Sequence, residues 1–458
     1  MNPIIEINEI ISSAFEKCGY DFNLGKVAAS NRPDLCQFTC NGAMAGAKIY
    51  KKPPLKIASD IVDVLRQNPI FDSVDAVPPG FINISLSNEY YESLINKVHN
   101  FKDLIHVKSG QKIILDYGGP NVAKPLHVGH LRSAIIGESI KRIAKALGYK
   151  TISDIHLGDW GLPMGLIITE IQQRYPDLDY FKEVPVPSEP GSFPISLEEL
   201  NEIYPTANSK AKADDNYKLK AQEATKALQS KDNGLYSLWK SFVKLSTANM
   251  KKIYDSLNVN FDLWNGESTC DSYVEPLINK LISAGLTYES NGALVVDIKE
   301  GGDKLELPPI IIRKSDGAQL YSTTDLATIM QREHDHKPNQ IIYIVDNRQS
   351  LHFTQVFRCA KKGNILPQGT HLEFVGFGTM NGKDGKPYKT RDGGVMQLSE
   401  LIRTITAEAY DRIGDRVHKE ATEAEKTEIA RKIGIAALKF GDLYNHRGRD
   451  YIFDMDRF

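Results

Sequence analysis

The chain has 458 residues, too many for one core, so two or three domains are expected. It is 41% hydrophobic and 25% charged, and 56 Lys and Arg stand against 58 Asp and Glu for a formal net charge of −2; this is ordinary globular composition and excludes a broad basic coat for nucleic acid, while leaving room for a local basic surface. No apolar run reaches transmembrane length and no basic-plus-apolar leader opens the sequence, so no membrane partner and a cytoplasmic location are expected.

In chain order, IIEINEIISSAFEKCGY reads as an amphipathic helix, and DLCQFTCNGAMAGAKIY alternates before turning helical. VPPGFINISLS then sets a Pro-Pro-Gly turn ahead of an alternating strand from Phe81 to Leu86. Residues 1–105 therefore predict a small α+β domain. KIILDYGG opens a new pattern. Lys112 to Tyr117 form a short apolar strand, and Pro120 and Pro125 keep the next stretch extended. A helix follows from Val128 with the apolar stripe Leu131, Ile135, Ile136, Ile140, Ile143, Ala144 and Leu147, closed by Gly148. TISDIHLGD is a second strand, and strand, loop, helix, strand begins a parallel nucleotide-binding unit. Residues 171–305 read as a largely helical insertion. The βαβ rhythm resumes near LPPIIIRKSDGAQLYSTTDLATIMQRE, and QIIYIVD is a buried strand. The expected fold class is α/β: a Rossmann-like parallel-sheet domain over 106–400 interrupted by the insertion, an α+β domain before it, and a partial helical region over 401–458.

The five cysteines are Cys18, Cys36, Cys40, Cys270 and Cys359. Only Cys36 and Cys40 are close, and no second thiol pair or Cys/His set follows, so reduced thiols and no structural zinc are expected.

The densest chemistry lies in DYGGPNVAKPLHVGHLRS, Asp116 to Ser133. His127 and His130 flank Gly129 and can face one way as a helix begins. Helix-start amides receive anionic oxygens, and imidazoles placed there can donate to a triphosphate as charge grows at the α-phosphate. Gly129 permits close approach of a base or ribose, and Lys124 adds a mobile positive charge. Alone, the histidines also fit two partly buried helix-start residues, and less well a metal pair, since no acidic third ligand stands at a familiar spacing. HLGDWGLPMG, His156 to Gly165, places glycines and Asp159 in a tight turn at a strand end, where Asp159 also fits a turn residue and Trp160 a core residue. FVGFGTMNGKDGKPYKTRDGG, Phe374 to Gly394, is a glycine-rich basic loop that fits either a phosphate loop or an exposed hairpin. Two carboxylates stand apart: Glu267 in WNGES, and Asp325 in QLYSTTD with Tyr321 one helical turn before it. Gln349, with His352 beside it, directly follows QIIYIVD, at a strand end where α/β folds bind ligands.

HVGH between PNVAKPL and LRS resembles the ATP-binding signature of class I aminoacyl-tRNA synthetases. Together with HLGDWG and KPYKTRDG it resembles the arginyl-tRNA synthetase family. The resemblance implies ATP-dependent activation of L-arginine and its transfer to tRNA(Arg), releasing AMP and diphosphate, with ATP as substrate, Mg²⁺ escorting it and no protein metal ligand named. His127, His130 and Lys124 are implied as catalytic. Gly129, Gly158, Asp159, Trp160, Gly161, Gly378, Met380, Lys389 and Arg391 are implied around ATP. Glu267, Tyr321 and Asp325 are implied at the arginine guanidinium, a planar, permanently charged group that calls for carboxylates in fixed geometry. Asp116, Asn121 and Gln349 are implied at the α-amino and carboxylate end. Two departures matter. Pro163 stands where many relatives have Gln and supplies no side-chain amide; KPYKTRDG replaces Lys-Met-Ser-Lys-Ser without its final lysine, for which Lys124 is the natural substitute. Residues 1–105 resemble the domain that contacts the tRNA elbow. DLYNHRGRDYIFDMDRF resembles the junction into a helical anticodon-binding domain that this chain is expected to lack, so weak tRNA affinity is expected. The family is also implied to need bound tRNA for efficient activation, and a monomer is expected. The rival readings are a class I adenylating enzyme for another amino acid, and a non-catalytic tRNA-binding paralogue that would have lost the phosphate-binding groups.

Overall fold

The computed structural model describes residues 3–97, 110–182, 193–303, 307–315, 317, 320–386, 396–413 and 421–454. The chain divides into two compact units, Met1–Ser109 with Ala146–Gly148, and the remainder.

In the first unit, α1 (Pro3–Lys17), β1 (Val27–Ala29), β2 (Phe38–Cys40), α2 (Gly42–Tyr50), α3 (Pro54–Leu65), β3 (Phe71–Val77), β4 (Phe81–Leu86) and α4 (Asn88–Lys97) follow in order. The strands form an antiparallel sheet in the order β1-β2-β4-β3. The alternation of FINISL turns Ile82, Ile84 and Leu86 inward, where they join Ile7 and Ile11 of α1 and Ile57 and Ile61 of α3 in one core.

In the second unit, β5 (Lys112–Tyr117) leads through α5 (Gly129–Ala146) to β6 (Lys150–Asp154) and α6 (Leu162–Arg174). The helices α7 (Leu197–Ala213), α8 (Asp215–Gln229), α9 (Asn233–Ser256) and α10 (Asp271–Ser283) come next, followed by an antiparallel sheet of β7 (Thr287–Ser290), β8 (Ala293–Val296) and β9 (Ile310–Arg313). Then α11 (Tyr321–His336), β10 (Gln340–Asp346), α12 (Ser350–Lys362) and β11 (His371–Phe377) return to the first sheet. The last elements are β12 (Met380–Asn381), α13 (Leu398–Ile413), α14 (Glu423–Leu443) and β13 (Tyr451–Ile452).

The expected Rossmann-like sheet is present: four parallel strands in the order β11-β10-β5-β6. Both neighbours of β5 run parallel to it, so the chain leaves β5 in one direction and later returns on the other side. The crevice at the carboxyl ends of β5 and β10 is therefore the switch point at which such sheets bind ligands. Burial on both faces explains the unbroken apolar runs Ile113–Leu115 and Ile341–Ile344.

The stripe expected on α5 needs correction. Leu131, Ile135, Ile136 and Ala144 are buried, but Ile143 is 58% exposed, while Arg132, Ser133, Glu138 and Lys141 are buried. Lys141 is neutralised by Glu138 at 2.7 Å and donates to the Asn260 carbonyl. A buried charge is tolerable when it is paired and hydrogen-bonded, and hydrophobic periodicity cannot register that. The helix ends at Ala146, and Gly148 takes the left-handed φ of +85° beyond it. The tail helix α14 starts with a Thr422–Glu425 capping box and leaves Phe440 and Tyr444 70% and 80% exposed. Among the described residues no helix is long and apolar enough to cross a membrane.

Candidate active site

Gly118, with φ +95°, turns the chain off the end of β5. Ser133, in the first turns of α5, accepts from the Gly118 N–H at 2.8 Å and donates to the Ile344 carbonyl of β10 at 2.8 Å. One hydroxyl thus ties both strands of the crevice to the helix that starts above them.

That helix start carries the histidines. His127 Nδ1 accepts from the Gly129 N–H at 3.0 Å, and His130 Nδ1 accepts from the His127 N–H at 3.0 Å; the ring centroids lie 4.0 Å apart. A ring nitrogen that accepts carries no proton, so each neutral imidazole holds its hydrogen on Nε2. Burial first, then the Lys124 charge, lowers the pKa of His127. Burial, then His127 and Lys124, brings His130 down to about 3. At neutral pH the turn therefore presents two uncharged Nε2–H donors. A Cβ at position 129 would stand 2.7 Å from the His127 ring, so Gly129 is what lets that ring fold back.

The same turn is bound to both stems of the basic loop. The Val128 N–H donates to the Met396 carbonyl at 3.1 Å and the Leu398 N–H to the Leu126 carbonyl at 2.8 Å. On the other stem, the Gly378 carbonyl accepts from Arg132 at 2.6 Å, and Met380 is buried in β12 opposite Tyr451 of β13. Lys389 and Arg391 lie outside the described residues. Lys124 sits over the Tyr204 ring of α7, its Nζ 4.0 Å from the centroid. A Cβ at Gly378 would fall 2.3 Å from the Arg449 backbone, which cannot swing aside. Gly378→Ala is accordingly expected to cost roughly 1–3 kcal/mol of stability, read from urea unfolding; an unchanged midpoint would show that the stem yields freely.

The HLGDWG turn builds the opposite wall. The Val122 N–H donates to the Gly158 carbonyl at 3.0 Å and the Gly158 N–H to the Pro120 carbonyl at 3.0 Å. A Cβ at 158 would lie 2.2 Å from Asn121 Oδ1, so the glycine admits the asparagine side chain. Asp159 is buried and its carboxylate accepts from the Ser268 N–H at 2.9 Å and hydroxyl at 2.6 Å. It thereby fixes the turn that carries Glu267. Trp160 packs edge-on against Trp239 and donates to Asp271 at 3.1 Å, and Gly161 caps α6 at φ +78°.

Glu267 and Asp325 lie within electrostatic reach of each other. Burial, then the charges of Asp325 and Asp159, pushes Glu267 up to about 8. Asp325 contacts His352 Nε2 at 2.5 Å, whereas no Lys or Arg pairs with Glu267 among the described residues. Tyr321 is 62% exposed at the start of α11; burial of its hydroxyl, then Glu267, Tyr204 and Asp325, raises its pKa. Gln349 closes the short turn after β10 and is exposed.

Asp116, expected at the ligand, is buried in an ion pair. Arg332 of α11 donates to Asp116 at 2.6 Å and to Asp154, at the end of β6, at 2.8 Å. Burial alone lowers the pKa of Arg332, but Asp116, Tyr343 and Asp154 outweigh it and hold the guanidinium charged. Arg332, Ser133 and Ser268 went unassigned from sequence. Only Arg332 left a signal, two helical turns after Asp325 and so on nearly the same face.

Comparison with known proteins gives consistent results. The family model described as tRNA synthetases class I (R), catalytic domain, matches residues 92–455, and that of the arginyl tRNA synthetase N terminal domain matches residues 6–86. The arginine–tRNA ligase of Agathobacter rectalis is 49% identical over 99% of this chain and 77% of its own length. That of Francisella tularensis subsp. novicida is 43% identical over 100% of this chain and 77% of its own. The crystal structure of arginyl-tRNA synthetase from Plasmodium falciparum superposes with a TM-score of 0.81 at 26% identity, covering 99% of this chain and 76% of that one. The Thermus thermophilus arginyl-tRNA synthetase shares the fold, with a TM-score of 0.76 at 18% identity over 99% of this chain and 77% of that one.

Proposed function

The chain belongs to the arginyl-tRNA synthetase family, the class I enzymes that use ATP to join arginine to tRNA(Arg), and from that premise we propose how its residues divide the work. Glu267, Asp325 and Tyr321 hold the guanidinium. The observation that carries this is a half-buried carboxylate, Glu267, beside a second one and without a cationic partner among the described residues. Asp116, Asn121 and Gln349 hold the α-amino and carboxylate end, with Arg332 fixing Asp116. His127, His130, Gly129 and Lys124 receive the triphosphate. Gly158, Asp159, Trp160 and Gly161 shape the nucleotide side, Asp159 through its grip on Ser268. Gly378 and Met380 form the stem from which Lys389 and Arg391 reach phosphate.

In the first step the arginine carboxylate attacks the α-phosphorus in line, a P–O bond forms, and diphosphate leaves. The carboxylate is already ionised, so no general base is needed, and acceleration comes from orientation and from donors aimed at the growing phosphate charge. In the second, the terminal ribose hydroxyl of tRNA attacks the adenylate carbonyl and AMP leaves. Mg²⁺ arrives with ATP, where it would neutralise phosphate charge.

The same reading makes residues 1–105 the tRNA-elbow domain, 106–400 the catalytic domain with its insertion at 171–305, and 401–458 the junction toward an anticodon-binding domain. It also makes the protein a cytoplasmic monomer. Free cysteines suit a reducing compartment. Pyrophosphate exchange with tRNA(Arg) present tests the reading: arginine is expected to drive it. Exchange with a different amino acid and none with arginine would overturn it.

A further inference from the structure

Arg132 stands two residues beyond His130 and is 1% exposed. Its Nη1 donates to the carbonyls of Gly378 at 2.6 Å and Arg449 at 3.1 Å, its Nη2 to that of Arg447 at 3.4 Å, and its Nε lies 3.0 Å from Asp442 Oδ1 at the end of α14. Tyr451 donates to the same Asp442 oxygen at 2.9 Å, and its ring lies 4.9 Å beneath the guanidinium. From Arg447 to Phe453 the chain runs as a strap along the loop stem. The Gly378 N–H donates to Arg447 at 3.0 Å, the Thr379 N–H to the Asp450 carboxylate at 2.7 Å, the Tyr451 N–H to Thr379 at 3.1 Å, and the Phe453 N–H to Asn381 at 2.8 Å.

One guanidinium therefore joins three parts: the helix that starts with His127 and His130, the Gly378 stem, and the C-terminal strap. A buried ion pair is a poor way to gain stability, because apolar residues of similar volume do as well or better. What it adds is direction, since its donors fix the carbonyls they meet in angle as well as distance. Arg132 Nε and Asp442 Oδ2 are both buried without a hydrogen-bond partner among the described residues, so the two groups are joined by charge at 3.0 Å while their other atoms hold the strap.

We propose that Arg132 is a positioning residue through which the strap, Asp442 to Phe453, sets the spacing between the two histidines and the Gly378–Asn381 stem. The proposal rests on the reading that these groups hold the triphosphate. It makes ATP use, and not arginine recognition, depend on how the strap is seated, because Glu267 and Asp325 lie on other elements.

The test is arginine-dependent pyrophosphate exchange, with tRNA(Arg), by Asp442→Asn and Tyr451→Phe. For Asp442→Asn, KM for ATP is expected to rise about tenfold or more, the scale of a misplacement below 1 Å, with KM for arginine within about twofold of wild type. Tyr451→Phe keeps the ring under Arg132 and is expected to give about a threefold rise with the same selectivity. Equal rises in both KM values, or none in either, would overturn the proposal. If Asp442→Asn does not fold, Tyr451→Phe decides by the same criterion. If the wild-type protein itself shows no arginine-dependent exchange, the functional reading fails. ATP affinity of the same variants by calorimetry then decides the strap: a weakened Kd supports it and an unchanged one removes it.

Discussion

Glu267→Gln is expected to lower kcat/KM for arginine about a thousandfold in pyrophosphate exchange and to leave KM for ATP within about twofold. The size follows from what the substitution leaves behind: a permanently charged guanidinium in a half-buried site, facing one fewer anion. The pH dependence is the sharper part. In the free protein Glu267 titrates at about 8, raised by burial and then by Asp325 and Asp159. It is therefore largely protonated at neutrality. The guanidinium favours the ionised form, so arginine affinity should climb as pH rises through about 8 and level off above it, and binding at pH 7 should release a proton. The linkage to folding has the opposite sign. With the folded pKa raised above the ordinary 4.5, the contribution to stability is full below 4.5 and is lost as pH rises through about 8. Arginine should restore it. Calorimetry in two buffers of different ionisation enthalpy reads the proton directly. A KM for arginine that stays flat across this range, or proton release undiminished in Glu267→Gln, would remove the assignment.

How much of this was visible in the sequence depends on how far apart the partners are. The β5 strand, the helix after HVGH and the buried strand QIIYIVD declare themselves because their patterns are local. So does the donor turn, whose working bonds link residues two and three apart. The supports are another matter. Arg332 is 216 residues from Asp116, and Ser268 is 109 from Asp159. Neither residue type marks its own role, since an arginine on a helix and a serine after a glutamate are ordinary surface residues until the fold covers them. The exchange of Ile143 for Lys141 on the buried side of α5 has the same origin. The decisive partners, Glu138 and the Asn260 carbonyl, act through tertiary structure and charge, and not through the hydrophobic period. Asp159 shows a subtler form. The HLGDWG string marks it as a site residue, yet only the structure shows its carboxylate occupied by Ser268.

The histidine turn carries the other large expected effect. Both rings are held as neutral Nε2–H donors, His130 with a pKa of about 3, so their value lies in aiming hydrogens at phosphate oxygens and not in supplying charge. Such donors matter most where negative charge develops, and His127→Ala or His130→Ala should each lower kcat for exchange by about 10²–10³ and raise KM for ATP as well. Because both rings serve the same phosphates, the double variant should lose less than the product of the two. The tautomer gives a finer test at position 130. Asn places an oxygen near the Nδ1 position and can still accept the His127 N–H, but it has no donor at Nε2; Gln reaches toward Nε2 but leaves that N–H unmet. His130→Asn is thus expected to hold the fold and lose the rate, and His130→Gln to keep more rate at some cost in stability. Acid should not help. A folded pKa lowered from 6.5 to about 3 means that the stability contribution is present above 6.5 and is lost as pH falls toward 3, with no gain in rate on the way. A kcat that increased as pH dropped through 6.5 would require a charged imidazolium, and a wild-type kcat in His130→Asn would show that Nε2 donates to nothing in the transition state.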